Sequence, residues 1–304
     1  MMNRKIVAYG IISVPFKALG KKNFERGLNM KRDGHTHTEF CPHGTHDDVE
    51  EMILKAIELD FDEYSIVEHA PLSREFMNNT AGDKEAVTTA SMAMSDLPYY
   101  FKKMNHIKKK YASDLLIHIG FEVDYLIGYE DFTRDFLDEY GPQTDDGVLS
   151  LHFLEGQGGF RSIDFSAEDY NEGIVQFYGG FEQAQLTYLE GVKQSIEADL
   201  GLFKPRRIGH ISLCQKFQQF FGADTSNFSG EVMEEFQAIL ALVKKRDYEL
   251  DFNTAGLFKS LCGETYPPKE IVTLARELKI PLVYGSDSHG VQDIGRGYNT
   301  YCQK

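Results

Sequence analysis

From Lys31 onward, short and nearly continuous apolar runs alternate with stretches of helical periodicity, and that alternation restricts the chain to few folds. The runs fall around residues 31–36, 64–69, 115–123, 148–153, 206–211, 248–253 and 281–286. Unbroken apolarity marks strands buried on both faces, as in parallel sheets covered by helices. The helix signals between them are explicit. Thr45 can cap a helix running to about Leu59, with Val49, Met52, Ile53, Ala56 and Ile57 on one face and Asp47, Asp48 and Glu51 in the favourable first turn. Ser166 to Asp169 reads as a capping-box variant, and Ser229 opens a helix with Val232, Phe236, Ile239, Leu240 and Val243 inward. Pro267-Pro268 precedes the last helix, where Ile271, Leu274, Ala275 and Leu278 recur. The expected class is α/β with a parallel sheet, either a barrel or doubly wound. Asp33-Gly34-His35 is neither a dinucleotide fingerprint nor a Walker loop. Residues 71–114 and 155–180 exceed a minimal connection and are expected to be elaborated loops beside a site.

Charge and cysteine usage narrow the function. The 304 residues carry 47 Asp+Glu against 32 Lys+Arg, a formal net charge of −15. That disfavours nucleic-acid backbones and anionic membrane surfaces, which require clustered Lys and Arg. It leaves room for a phosphorylated small molecule, because bound cations reverse the local field. No apolar run reaches the 18 residues of a membrane-spanning helix. Cys41, Cys214, Cys262 and Cys302 show no Cys-x-x-Cys spacing and read as reduced thiols of a cytoplasmic protein. Asn3-Arg4-Lys5 followed by Ile6 to Phe16 has the outline of a signal peptide, but Gly10, Ser13 and Pro15 interrupt the apolar run. The other reading is an N-terminal extension over residues 1–29, before a single domain over 30–304. Nothing in the sequence selects an oligomeric state.

Ten histidines carry the functional signal. His35 and His37 end the first strand candidate, His69 the second, His152 the fourth and His210 the fifth, and His289 follows the seventh. In parallel α/β folds the carboxyl ends of the strands form the active-site face. In extended backbone, residues i and i+2 point to the same side, so both imidazoles of His35-Thr36-His37 can meet one ion. Asp287-Ser288-His289 repeats that spacing with a carboxylate. Imidazole and carboxylate together suit Zn, Fe or Mn, and the absence of a nearby cysteine disfavours a structural thiolate site.

In order, Asp33-Gly34-His35-Thr36-His37, His43, Glu68-His69, Gly120-Phe121-Glu122-Val123-Asp124, Ser150-Leu151-His152, Gly209-His210 and Gly285-Ser286-Asp287-Ser288-His289 resemble the motifs of the polymerase and histidinol phosphatase (PHP) superfamily. The resemblance spans roughly residues 30–295. Asp33 to Gly44 and Ser150 to Leu154 are most similar to its monofunctional histidinol-phosphatases. It implies a distorted (β/α)7 TIM-like barrel of parallel strands holding three divalent metal ions, Zn, Mn or Fe. His35, His37, Glu122 and Asp287 would bind the first ion. Glu122, His152 and His210 would bind the second, with Glu122 bridging. His43, His69 and His289 would bind the third. The implied activity is hydrolysis of L-histidinol phosphate to L-histidinol and phosphate in histidine biosynthesis, by a metal-bound hydroxide. The alternative is a phosphoesterase of the same superfamily acting on a nucleotide or another small phosphate ester, distinguished only by residues 71–114 and 155–180. A noncatalytic metal-binding module fits the full ligand set less well.

Among further candidates, Glu122 and Asp287 are expected to be catalytic. Arg161, in the stretch Gly156-Gln157-Gly158-Gly159-Phe160-Arg161, is either a bidentate phosphate clamp on a lid or an ordinary surface arginine. By strand parity Asp33 can orient the first histidines, whereas Glu68 points away from His69. Asn253 is a candidate substrate contact, and Asp164, Glu155 and Asp124 are candidates for gripping a cationic amine. His118 reads as a core histidine and His106 as part of a solvated lysine-rich face. His46 has no counterpart among the family's ligands.

Overall fold

The computed structural model describes residues 30–222 and 228–303. The readings of residues 1–29 lie outside them. Seven strands pair in parallel in the order β1-β2-β3-β4-β7-β8-β9. They are β1 (Arg32–Thr36), β2 (Glu63–His69), β3 (Leu116–Asp124), β4 (Asp146–Ser150), β7 (Arg207–Ile208), β8 (Glu249–Asn253) and β9 (Leu282–Gly285), with β5 (Phe153–Gly156) and β6 (Gly159–Ser162) forming a separate antiparallel pair. The sheet curls back on itself at its ends. Thr36 bridges Ser288 in parallel, His37 N donates to Ser288 O at 2.9 Å, and Asp287 N donates to His35 O at 2.9 Å. This closure makes the sheet a distorted barrel rather than a doubly wound open sheet.

The helices pack their apolar faces on the outside of the barrel, as their spacing predicts. Val49–Glu58 buries Val49, Met52, Ile53 and Ala56, and Gly230–Arg246 buries Val232, Phe236, Ile239, Leu240 and Val243. The first is capped by Asp48, which accepts from Glu50 N at 2.8 Å, and not by Thr45. Thr45 is engaged instead with His289 O, which its hydroxyl reaches at 3.0 Å. Ser166 and Ser229 cap as expected. No helix among the described residues is long and apolar enough to cross a membrane.

Residues 71–114 and 155–180 are structured insertions rather than loops. The first holds Arg74–Asn78, Glu85–Thr88 and Leu97–Lys110, and the second holds most of the β5–β6 hairpin followed by the helical turns Ala167–Tyr170, Asn171–Val175 and Gln176–Tyr178. The two meet through a bridge between Thr80 and Phe160. Beneath them Leu72, Phe76, Leu126, Phe153 and Phe160 form a small apolar cluster of their own.

At the opposite end of the barrel, Arg207 is buried and plugs the base. Its Nη2 donates to Gly34 O at 2.6 Å and pairs with Asp146 Oδ2 at 2.9 Å. Arg32 shares that carboxylate oxygen at 2.6 Å. His118 also lies at this end, 3.5 Å from Glu63, and His46 and His106 are exposed.

Candidate metal centre

The carboxyl ends of the strands bring the sequence-predicted histidines together. A bulge in β1, where Asp33 pairs Tyr64 but Thr36 pairs Ile66, turns His35 and His37 into the barrel. The β2–β3 register sets His69 opposite Glu122. Glu122 is the hub. Its Oε2 lies 3.2 Å from His35 Nε2, 3.5 Å from His37 Nε2 and 3.2 Å from His69 Nδ1. Its Oε1 lies 2.8 Å from His210 Nε2 and 3.6 Å from His152 Nε2, and accepts from Ser150 Oγ at 2.5 Å. Asp287 sits in the left-handed region (φ 52°), a strained conformation for a residue with a side chain. Its Oδ1 lies 3.2 Å from His37 Nε2 and 3.5 Å from His289 Nδ1. His43 Nε2 faces His289 Nε2 at 3.0 Å.

Four overlapping groups of potential donors result among the described residues, each with one atom per residue within 4.8 Å of the others: His35, His37 and Asp287; Glu122, His152 and His210; Cys41, His43, His69 and His289, the third group below; and His37, His69 and Glu122, which links them. The sequence reading set cysteine aside, but Cys41 joins the third group.

Hydrogen bonds behind the ligating face fix the rings. His35 Nδ1 donates to Asp251 Oδ2 at 2.7 Å, His152 Nδ1 to Asp124 Oδ1 at 2.8 Å, and His43 Nδ1 to Thr89 O at 2.8 Å. His37 Nδ1 lies 3.4 Å from Glu68 Oε1. Each partner holds the proton on Nδ1 and leaves Nε2 as the ligating atom. Parity therefore misassigned two residues. Glu68 reaches His37 because the β1 bulge shifts the register between the strands. Asp33 instead accepts from the backbone N–H of Ser286 (3.0 Å) and His35 (3.4 Å). Asp251 was missed, although the alternation Glu249-Leu250-Asp251-Phe252-Asn253 places it inside the barrel. Asn253 is buried and holds Asp287 (Nδ2 to Oδ2, 3.0 Å) and Asp251 (3.2 Å) rather than facing the cavity.

The electrostatics follow from burying many titratable groups together. Burial opposes charge on Glu122, but the fields of His35, His69 and His152 prevail and hold its carboxyl well below the usual range. Asp287 is lowered in the same way against burial, first by His35. Burial works against a charge on His37 too, yet hydrogen bonding to Asp287 and Glu68 brings it up to about 9. Burial and the charge of His37 keep His69 well below the ordinary imidazole value.

The donor set fits divalent cations. His35 Nε2 and His37 Nε2 are buried with no hydrogen-bond partner, although carboxylate oxygens lie 3.2–3.5 Å away. These atoms converge on shared space rather than on one another. Ions with N and O bonds of about 2.0–2.2 Å satisfy such a set.

A cavity of about 570 Å³ opens over the cluster. Lys216, Lys259 and Arg296 line it, none of them anticipated from the sequence. Their signal was position: Lys216 and Lys259 follow β7 and β8 on the active-site face. Lys216 Nζ pairs with Asp164 at 3.0 Å. Arg296 donates to Ser286 O (2.9 Å) and Asp287 O (2.8 Å). Asp164 and Asp124 line the cavity, whereas Glu155 is exposed outside it.

The structure corrects the phosphate-clamp expectation for Arg161. This side chain is buried away from the cavity lining, with Nη2 on Asp169 Oδ1 at 2.6 Å and Nη1 on Gln157 O at 3.3 Å. Asp169 also accepts from Asp83 N at 3.2 Å, so the pair stitches the two insertions together. Gly82, Gly156 and Gly173 pack on the Arg161 side chain so closely that a Cβ on any of them would collide with it or be tightly crowded.

Comparison with known proteins gives concordant results. The family model for the PHP domain matches residues 33–255. The chain is 36% identical to the histidinol-phosphatase of Bacillus subtilis (strain 168) over 275 residues, 90% of this chain and 99% of that protein. A crystal structure from Listeria monocytogenes, whose histidinol phosphatase label is itself provisional, is 93% identical, with a TM-score of 0.89 over 90% of this chain and all of the other. The histidinol phosphate phosphatase of Lactococcus lactis, solved with Zn, L-histidinol and phosphate, is 19% identical and shares the fold, with a TM-score of 0.64 over 86% of this chain and 87% of that one.

Proposed function

This chain belongs to the PHP domain family, and from that premise we propose that it is a metal-dependent phosphomonoesterase that hydrolyses L-histidinol phosphate to L-histidinol and phosphate. The observation that carries the reading is the position of Glu122, one buried carboxylate whose two oxygens face two separate groups of histidines. In this reading three divalent ions, Zn, Mn or Fe, are held by residues 30–304 acting as one catalytic barrel. His35, His37, Glu122 and Asp287 take the first, Glu122, His152 and His210 the second, and His43, His69 and His289 the third.

Bound there, such ions neutralise phosphoryl oxygens and lower the pKa of coordinated water. The chain's own residues do the rest. Asp251, Asp124 and Glu68 hold the Nδ1 side of the imidazoles and aim Nε2 at the cluster. Arg296 holds the strained Asp287 backbone by its carbonyl. Lys216 and Lys259 supply positive charge at the mouth, where a phosphate dianion arrives, and Asp164 and Asp124 supply negative charge suited to a cationic amine. The overall charge of −15 would otherwise repel the substrate, so these local cations matter. The free cysteines accord with a cytoplasmic setting.

The test is phosphate release from histidinol phosphate, p-nitrophenyl phosphate, mononucleotides and a short oligonucleotide, with protein stripped of metal and reloaded with Zn or Mn. The expected result is a kcat/KM strongly favouring histidinol phosphate and abolished by chelation. Metal-dependent activity on the other esters with none on histidinol phosphate would overturn the substrate assignment and leave the chemistry.

A further inference from the structure

We infer that Cys41 is a fourth donor, through its sulfur, to the ion proposed for His43, His69 and His289, and that it biases this position towards Zn(II) or another thiophilic ion. The inference rests on the metal reading above and adds to it a ligand outside the expected set.

Three observations carry it. First, Cys41 contributes an atom to the same 4.8 Å group as His43, His69 and His289. Second, that group contains an unsatisfied buried donor site: His69 turns Nδ1 to Glu122 at 3.2 Å, while its Nε2 is buried with no hydrogen-bond partner. His43 Nε2 and His289 Nε2 also face each other at 3.0 Å, an arrangement that requires a proton or a cation between two lone pairs. Third, Cys41 stands apart from the other buried cysteines. Cys214 and Cys262 belong to the main apolar cluster, as buried free cysteines usually do, but Cys41 belongs to neither apolar cluster although it is fully buried.

The local backbone fixes the turn that carries the sulfur beside His289. In the turn Cys41-Pro42-His43-Gly44, Gly44 N donates to Cys41 O at 3.2 Å. The turn is fastened to the other side of the site, because Thr45 N donates to His289 O at 2.9 Å. Gly44 permits the approach: a Cβ there would lie 3.2 Å from His289 O. Soft thiolate donors favour Zn over Mn, which prefers carboxylate and water. Binding replaces the S–H bond by a metal–sulfur bond and releases one proton to solvent.

X-ray absorption at the Zn edge on the unmodified protein, loaded to three ions, tests this. One sulfur shared among three ions gives a Zn–S shell at about 2.3 Å beside the N/O shell at about 2.0–2.2 Å. Cobalt-loaded protein should show a sulfur-to-metal charge-transfer band. Cys41→Ser should lose both signatures, and its Zn content should fall by one ion per chain. A protein holding three ions with no sulfur shell and no such band would overturn the inference and leave the phosphatase reading standing. Fewer than three ions with no sulfur shell would overturn it as well. Activity on histidinol phosphate, measured on the same samples, reports on the phosphatase reading separately.

Discussion

Asp251 and Asp124 are outside the donor groups that would hold ions, yet each decides which nitrogen of its histidine is available there. Outer partners of this kind are usually worth 10- to 100-fold in metal affinity or activity. Asp251→Asn should therefore lower metal affinity by roughly 10- to 100-fold while leaving the circular dichroism spectrum intact. A competition titration against a chromophoric chelator checks this, and unchanged affinity would show that His35 is oriented without Asp251. At this scale the histidines were legible, because side-chain parity in a strand is a property of sequence. Their partners were only half legible. Asp251 lies inside the barrel by alternation, but its contact with His35 spans 216 residues of chain. Glu68 and Asp33 exchanged expected roles because a bulge shifts register, and nothing in Asp33-Gly34-His35 announces the bulge.

At the scale of elements, the barrel strands could be read from their apolar runs, and the insertions could not. Residues 71–114 and 155–180 fold against each other, so their structure depends on contacts that no local window contains. Arg161 shows the consequence. Glycine neighbours suggested a lid over a site, whereas those glycines make room for a buried arginine that pairs with Asp169. Removing one member of a buried pair typically costs about 3–5 kcal/mol. Arg161→Ala should lower the unfolding free energy by about that amount, read by denaturant titration, and leave kcat/KM of the folded enzyme near the unmodified value. A large loss of kcat/KM with stability unchanged would return Arg161 to the site. The capping residues Ser166 and Ser229 were legible for the opposite reason, since an N-cap acts within its own turn.

Across the whole molecule the barrel separates chemistry from stability: cations are recruited at one end, and a buried ion cluster closes the other. Burial opposes ionisation of Asp146, but Arg207 and Arg32 outweigh it and hold its carboxyl far below the usual range. A carboxylate with a depressed folded-state pKa contributes its stability fully above the unfolded value of about 3.9 and loses it as pH falls towards the folded value. Asp146→Asn should thus cost about 3–5 kcal/mol at neutral pH, because Arg207 stays buried without its partner. That deficit should shrink as pH falls below about 4, because the carboxyl of Asp146 takes up a proton in the unfolded chain there while it stays charged in the folded one. Unfolding curves of both proteins across that range check it, and a pH-independent difference would contradict the ion-pair account.

In the proposed centre, Glu122 joins two ion sites into one hydrolytic unit. Metal content and histidinol phosphate turnover of Glu122→Gln, measured beside the unmodified protein after the same stripping and reloading, address it most directly. Three ions per chain are expected in the unmodified protein, and the variant should lose ions from the groups Glu122 spans together with its phosphatase activity. A variant that keeps its full metal complement and its turnover would contradict it.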